Sequence, residues 1–398
     1  MPLTEKEAQT LGKRSRELLG EIIEWRRTVH QLPELKMDTP VTEAFIVREL
    51  QKMGISEIRS GVGGHGVTAV IEGALPGKCL GIRADCDGLP IEEQTGLPFA
   101  SKNGNMHACG HDGHTAMLLG AAKLLLENRD RLHGRVKLIF QPYEEGDGGA
   151  KRMLADGVME NPTVDAVTAL HNYCTPEPGL CGGDVVVTEK PSTCNIFAYE
   201  AVFRGEGAHV CLAAQTPNAV YMACEAVSRI SAMELPDETC VNAVTCVNGG
   251  VRNNIIPETC TVQGCVRAFE KEKQDKMRGQ VEAALHAAAQ KFGGTVEIHT
   301  TIDVMAAEND PALLRRFRES VLLADPARPC RELQQPQMIG EDFSRYARLV
   351  PGVHFRLFTK REGNDYPLHH PKFDLDEQVL WRGSLIFAVF ALTWQDEN

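Results

Sequence analysis

The sequence predicts an α/β protein in which a domain with a mostly parallel sheet is interrupted by a smaller α+β domain, and three observations lead there. Residues 1–182 alternate helical and strand-like patterns, as a mostly parallel sheet requires. The stretch from about 184 to 300 follows a different order, β-α-β-β-α-β, which is the split ferredoxin-like arrangement. Residues suited to binding metals are dense before that stretch, sparse within it, and return around Glu341, Asp342 and His369, so the first domain must be discontinuous. At 398 residues the chain is also long for one core. These readings place one domain at 1–183 and 303–398, with an inserted lid-like domain at 184–302.

In chain order, residues 4–29 read as one long helix and 80–85 as a short apolar strand that delivers Asp85 and Asp87 at its end. Residues 115–127 read as a helix with apolar positions at Met117, Leu118, Ala121, Leu124 and Leu125. The run 136–140 is β-branched and apolar on both faces, which suits a central parallel strand. Residues 164–171 form a further strand ending on His171. Within the insert the pattern gives strand 194–205, helix 217–233, strands 239–249 and 258–269, helix 271–291 and strand 294–302.

The strand at 136–140 leads into Gln141-Pro-Tyr-Glu-Glu-Gly146. Open α/β sheets bind ligands beyond the carboxyl ends of their strands, where Glu144 and Glu145 fall. In an extended segment adjacent side chains point in opposite directions, so one carboxylate could ligate a metal while the other faces a reacting water. A solvated acidic turn is the competing explanation. The segment Met106-His-Ala-Cys-Gly-His-Asp-Gly-His114 weighs against it, because three His, one Cys and one Asp crowd together there. Alternation along an extended loop would put Cys109 and His111 on one side, a thiolate and imidazole set suited to zinc or manganese. Asp112 and His114 then stand as groups that orient those ligands, and Asp85 as another. Asp87 reads as an Asx turn ahead of Pro90. His369 and His370 lie in a tight turn near the end of the chain.

Several of these runs carry a resemblance. Arg83-Ala-Asp-Cys-Asp-Gly-Leu-Pro-Ile91, the Cys-Gly-His-Asp-Gly-His segment, Gln141-Pro-Tyr-Glu-Glu-Gly146, Leu170-His-Asn172 and Gly340-Glu-Asp-Phe343 are similar to motifs of the amidohydrolase subfamily of aminoacylase-like dinuclear metallopeptidases. That group includes hippurate hydrolases and auxin–amino acid conjugate hydrolases. Arg26-Arg-Thr-Val-His30 with Pro33-Glu-Leu35, Gly249-Gly-Val-Arg-Asn-Asn-Ile-Ile-Pro257 and Leu368-His-His-Pro371 extend the match along essentially the whole chain. The resemblance implies a zinc-peptidase-like catalytic domain in which Cys109, His111, Glu145, His171 and His369 hold two divalent ions. His369 is preferred to His370 because the matching ligand stands two residues before the Pro of that turn. Manganese or zinc is the first expectation for the metal, with cobalt and nickel compatible. Glu144 is the implied general base and acid and Asp85 a further catalytic residue, while His209, Asn254 and Arg267 match substrate-contacting positions. An Arg and an Asn converging on a carboxylate would select an amino-acid leaving group.

The implied reaction cleaves an N-acyl amino acid into a carboxylic acid and a free amino acid. A dipeptidase or an N-acetyl-amino-acid deacetylase would use the same machinery, and a non-catalytic metal-binding protein would have no need of Glu144. Pairing of the lid between two subunits, hence a homodimer, is implied by the resemblance as well. Three departures stand out. Tyr143 replaces the usual Ala before the carboxylate pair, Cys86-Asp-Gly replaces Met-Asp-Ala, and Val210-Cys-Leu-Ala-Ala-Gln215 lacks the usual Pro-His.

The net charge of −12 argues against a nucleic-acid backbone or an anionic membrane as partner. Thirteen Cys, scattered and without a Cys-x-x-Cys pair, fit a reducing cytoplasm better than a disulfide framework. The absence of both a basic, apolar leader and an eighteen-residue apolar run leads to the expectation of a soluble protein that is not exported.

Overall fold

The computed structural model describes residues 3–146, 148–333 and 337–395, which divide into two compact units. The first comprises residues 1–192, 307–336 and 342–398 and the second 193–306 and 337–341.

The first unit opens with helices α1 (Glu5–Glu17), α2 (Leu19–His30) and α3 (Pro40–Lys52), followed by strands β1 (Ile58–Val62), β2 (Gly66–Glu72) and β3 (Leu75–Asp85). Helix α4 (His111–Glu127), β4 (His133–Gln141), α5 (Gly149–Ala155), β5 (Ala166–Tyr173) and β6 (Val185–Val187) come next. The second unit contributes β7 (Asn195–Arg204), β8 (Ala208–His209), α6 (Ala219–Ser231), β9 (Cys240–Gly249), β10 (Ile255–Ile256), β11 (Thr259–Ala268), α7 (Lys271–Lys291) and β12 (Thr295–Val304). The chain returns to the first unit with α8 (Pro311–Ala324), β13 (Arg331–Glu332), α9 (Ser344–Ala347), β14 (Gly352–Phe358) and α10 (Leu380–Thr393).

The large sheet has the order β1-β2-β4-β3-β5-β14-β6-β13, and its four central strands β4, β3, β5 and β14 run parallel. Alternation within these strands explains three layers. Val136, Leu138, Phe140, Ala166 and Leu170 face the main core with α1, α2, α4, α8 and α10. Ile139, Val167 and Ala169 face the opposite side, where Ala150, Met153, Phe343 and Tyr346 cover them. Helices α4 and α10 are buried almost all round, which accounts for their nearly continuous apolar sequences.

In the second unit, β12-β7-β11-β9 form an antiparallel sheet in the ferredoxin-like order. Phe197, Tyr199, Ala201 and Phe203 turn one face of β7 toward Met222, Ala226, Val281 and Leu285 of α6 and α7.

Three expectations need correction. The first unit extends to residue 192 rather than 183, because β6 hydrogen-bonds into the large sheet beside β14 and β13. The return falls at 307 rather than 303, and residues 337–341 cluster with the second unit. The long helix expected over 4–29 is two helices, broken at Leu18, whose ψ of −8° flattens the turn.

Helices α2, α4 and α10 meet closely at Gly120, where a β-carbon would lie 2.3 Å from Ser384 Oγ and 2.9 Å from Ile22 Cδ1. Gly120→Val should therefore destabilise by about 1–3 kcal/mol through overpacking. A lowered urea midpoint at unchanged slope would record it.

Candidate metal centre

Strands β3, β4 and β5 are parallel, so their carboxyl ends share one edge of the sheet. Asp85 closes β3, Gln141 closes β4 just before the carboxylate pair, and His171 lies near the end of β5. The fourth contributor is the start of α4. Gly110 has φ 84°, and a β-carbon there would stand 2.5 Å from Asn172 Oδ1, so glycine alone suits both the backbone and the space. The convergence of Cys109 and His111 thus comes from a left-handed turn into a helix that begins at His111 rather than from alternation along an extended loop.

Cys109 Sγ lies 3.4 Å from His171 Nε2, and His369 Nε2 lies 3.1 Å from Glu145 Oε1. His111 Nε2 stands 4.0 Å from that same carboxylate oxygen. The donor atoms of Cys109, His111 and His171 all fall within 4.8 Å of one another, and so do those of Cys109, Glu145 and His369, so Cys109 belongs to both trios. Glu144 joins His111 and Glu145 in a third. His369 reaches the site with φ 65°, its N–H donating to the Ala108 carbonyl at 2.8 Å. His370 has another role: its ring stacks on Tyr366 at 4.3 Å and its Nδ1 accepts the Lys372 N–H.

The hydrogen bonds fix the imidazole tautomers. A carbonyl only accepts, so His111 Nδ1 carries a proton toward the Asp87 carbonyl at 3.0 Å, and His171 Nδ1 toward that of Asn172 at 2.8 Å. Both Nε2 atoms then turn into the cluster, and that of His111 is fully buried without a hydrogen-bond partner. Burial, together with the Glu145, Glu144 and Asp85 carboxylates, holds the Cys109 thiol well above its usual range. Burial opposes the charge on His111, but Asp85, Asp87 and Glu145 lift its imidazole to about 10. An orphaned imidazole nitrogen and a thiol among excess carboxylates form the donor set that a divalent cation neutralises, so the residues fit the expected metal.

Asp87 is the residue that sequence reasoning missed. Its two carboxylate oxygens accept the backbone N–H groups of Glu144 at 3.0 Å and Glu145 at 3.3 Å, so it holds the carboxylate-bearing turn rather than forming an Asx turn of its own. The signal was present in Asp85-Cys86-Asp87, two acids of the same parity at a strand end. The carboxylate pair does not continue the extended strand, because Tyr143 has φ 59° and turns the chain just before Glu144.

The Asp85 carboxylate is shared among three side chains. One oxygen accepts from Arg83 Nη1 at 2.7 Å and lies 3.8 Å from His111 Nε2, and the other meets His114 Nδ1 at 2.5 Å. His114 Nε2 accepts the Asn172 N–H at 2.9 Å, so both ring nitrogens are used and His114 orients the Asn172 peptide that in turn orients His171. Arg83 and Gln141 also converge on Asp342, which accepts the Ala150 N–H and ties β3, β4 and α5 together.

Asp112, expected to orient the ligands, faces the other way. Arg26 Nε donates to it at 2.6 Å and His30 Nδ1 lies 2.7 Å away, while Arg26 also binds Asp374 and Glu377. This buried network pins the first turn of α4 from behind.

In the second unit His209 lies on β8, which pairs with β10, and Asn254 stands just before β10, where its carbonyl accepts the Val210 N–H at 3.1 Å. Both are exposed. Arg267 on β11 is half-buried and donates to the Met338 carbonyl at 2.5 Å.

A model of the peptidase family M20/M25/M40 matches residues 81–393. Thermostable carboxypeptidase 1 of Saccharolobus solfataricus is 34% identical over 394 residues, which cover 96% of this chain and 97% of that protein. N-acetyl-L-cysteine deacetylase of Bacillus subtilis is 35% identical over 392 residues, covering 95% and 89%. Among solved structures, the Bacillus subtilis YXEP protein, described as a dinuclear metal-binding peptidase, superposes with a TM-score of 0.77 at 32% identity, covering 94% of this chain and 98% of that one. Fold, site and likeness together define the class: a metal-dependent hydrolase of amide bonds. The chain belongs to the peptidase family M20/M25/M40.

The buried network behind α4 carries a pH signature. Burial lowers the affinity of His30 for a proton, but Asp112 and Glu93 outweigh both burial and the nearby Arg26, raising it from the ordinary 6.5 to about 9. His107, whose ring lies 6.3 Å from that of His30, is pushed by burial down to about 3 and stays neutral. The folded state thus binds the His30 proton more tightly than the unfolded chain. Its contribution is full below about pH 6.5 and is lost as pH rises through about 9. Thermal midpoints of His30→Gln should fall less steeply than those of the wild type between those limits.

Proposed function

We propose that the protein hydrolyses N-acyl amino acids, releasing a carboxylic acid and a free amino acid. The observation that carries this reading is the convergence of Cys109, His111, Glu145, His171 and His369 on one cluster, with Glu144 held beside it by Asp87. The five donors would hold two divalent ions, manganese or zinc. When bound, such ions lower the pKa of water and polarise a carbonyl. Glu144 takes the proton of the attacking water and delivers it to the departing nitrogen. Asp85 and His114 keep the imidazole ligands in register. We assign recognition of the amino-acid carboxylate to Arg267 and Asn254, with His209 alongside.

The similarity to an N-acetyl-L-cysteine deacetylase favours a small acyl group, and the similarity to a carboxypeptidase keeps short peptides in the same reading. A homodimer is supported by β9, an edge strand of ten residues whose Val241 and Val247 are exposed. Thirteen unbridged Cys favour a reducing cytoplasm. No helix among the described residues is long and apolar enough to cross a membrane.

Release of free amine from acetyl, benzoyl and indole-acetyl amino acids and from dipeptides, by protein stripped with chelator and reloaded with manganese or zinc, tests the reaction. Glu144→Gln should keep its metal content yet lose about 10²–10⁴ in kcat. Loss of metal in that variant would mean that the two carboxylates have exchanged roles.

A further inference from the structure

We propose that Tyr143 is a positioning residue for Glu144: its ring, laid over the loop that follows the carboxylate pair, locks the turn that presents the base. The proposal rests on Glu144 being that base. Tyr143 takes the left-handed backbone, φ 59°, which a bulky side chain adopts only where its surroundings enforce it. Two sets of contacts enforce it. Its carbonyl accepts N–H bonds from Gly148 at 3.3 Å and Gly149 at 3.1 Å, closing the loop onto the start of α5. Its ring occupies the space that side chains at Gly146 and Gly148 would fill: a β-carbon at Gly146 would lie 2.0 Å from Tyr143 Cε2, and one at Gly148 2.3 Å from Tyr143 Cδ1. At each of the two positions, the atoms a β-carbon would crowd most closely all belong to Tyr143.

The turn is therefore held from both sides. Asp87 takes the N–H groups of Glu144 and Glu145, and the Tyr143 ring covers the glycines just beyond them. Of the Tyr143 atoms that crowd the two glycines, five are ring carbons and one is the hydroxyl oxygen, so we assign the positioning to the ring. A small side chain at 143 would leave the loop uncovered and let Glu144 sample orientations away from the attacking water.

The test is a set of variants of the metal-loaded enzyme, assayed for kcat, KM, metal content and melting temperature. Tyr143→Ala should lower kcat by about 10- to 100-fold, as small misplacements of a catalytic group do, with KM nearly unchanged and metal content intact. Tyr143→Phe should restore wild-type turnover. Gly148→Ala isolates the ring contact, because its φ of −111° and ψ of −27° suit alanine and the collision with the ring is the cost. It should lower kcat alone, yet add nothing to Tyr143→Ala, since without the ring the added methyl meets none of the atoms it would crowd. Wild-type kcat in Tyr143→Ala, independent multiplication of the two losses, or a Phe variant as slow as Ala would each overturn the proposal. Glu144→Gln in the same series separates the two failures: if it keeps turnover, the assignment of the base falls, whereas an inactive Glu144→Gln beside a fully active Tyr143→Ala overturns the positioning role alone.

Discussion

Asp87 ties together the three segments on which the site depends. Its backbone carbonyl receives His111 Nδ1–H from the first turn of α4, and its carboxylate receives the N–H groups of Glu144 and Glu145 from the loop after β4. The residue itself stands two positions beyond the end of β3. Burial raises the affinity of its carboxylate for a proton, and Glu145 adds to that, but His111 and the Glu144 N–H work against the rise. A buried residue held by one imidazole at its carbonyl and by two amides at its carboxylate couples the geometry of a candidate ligand to that of the candidate base. Displacing either partner would leave a buried acceptor unsatisfied, which costs about 1–3 kcal/mol.

A second set of buried charges fixes α4 from the other face. Arg26 is surrounded by Asp112, Asp374 and Glu377, and His30 by Asp112 and Glu93. Buried ion pairs of this kind contribute little net stability against apolar packing, but removal of one partner is expensive. Their value here is positional. Asp112 immediately follows His111, so a helix start clamped at Asp112 presents His111 Nε2 to the cluster without relying on the cluster itself.

The strands, helices and most ligand-type residues were legible in the sequence because each rests on local pattern. The insert's two long helices and four long strands follow from periodicity of 3.6 and 2.0, and β4 and β5 from apolar runs. Boundaries set by tertiary pairing were not: β6 is three residues of valine whose membership in the large sheet depends on β14, a strand more than 160 residues away. In the site, residue types were readable and directions were not. Gly110 and Tyr143 both take left-handed backbones, which no alternation rule anticipates, and they set where Cys109, His111 and Glu144 point. Asp112 and His114 looked equivalent in sequence, yet helical geometry sends one toward Arg26 and the other toward Asp85.

That division suggests where this chain has room to differ from its relatives. His111 and His171 each have the second imidazole nitrogen committed to a backbone carbonyl, so a change at either would disturb the chain path as well as the donor. The loop after β4 is less constrained by the sheet. It leaves β4 at Gln141, which Arg83 and Asp342 anchor, and regular structure resumes at Gly149. Tyr143 lies in that interval, beside the carboxylate pair, with its ring over Gly146 and Gly148. A substitution there can change how the candidate base is held without rebuilding the donors of the cluster.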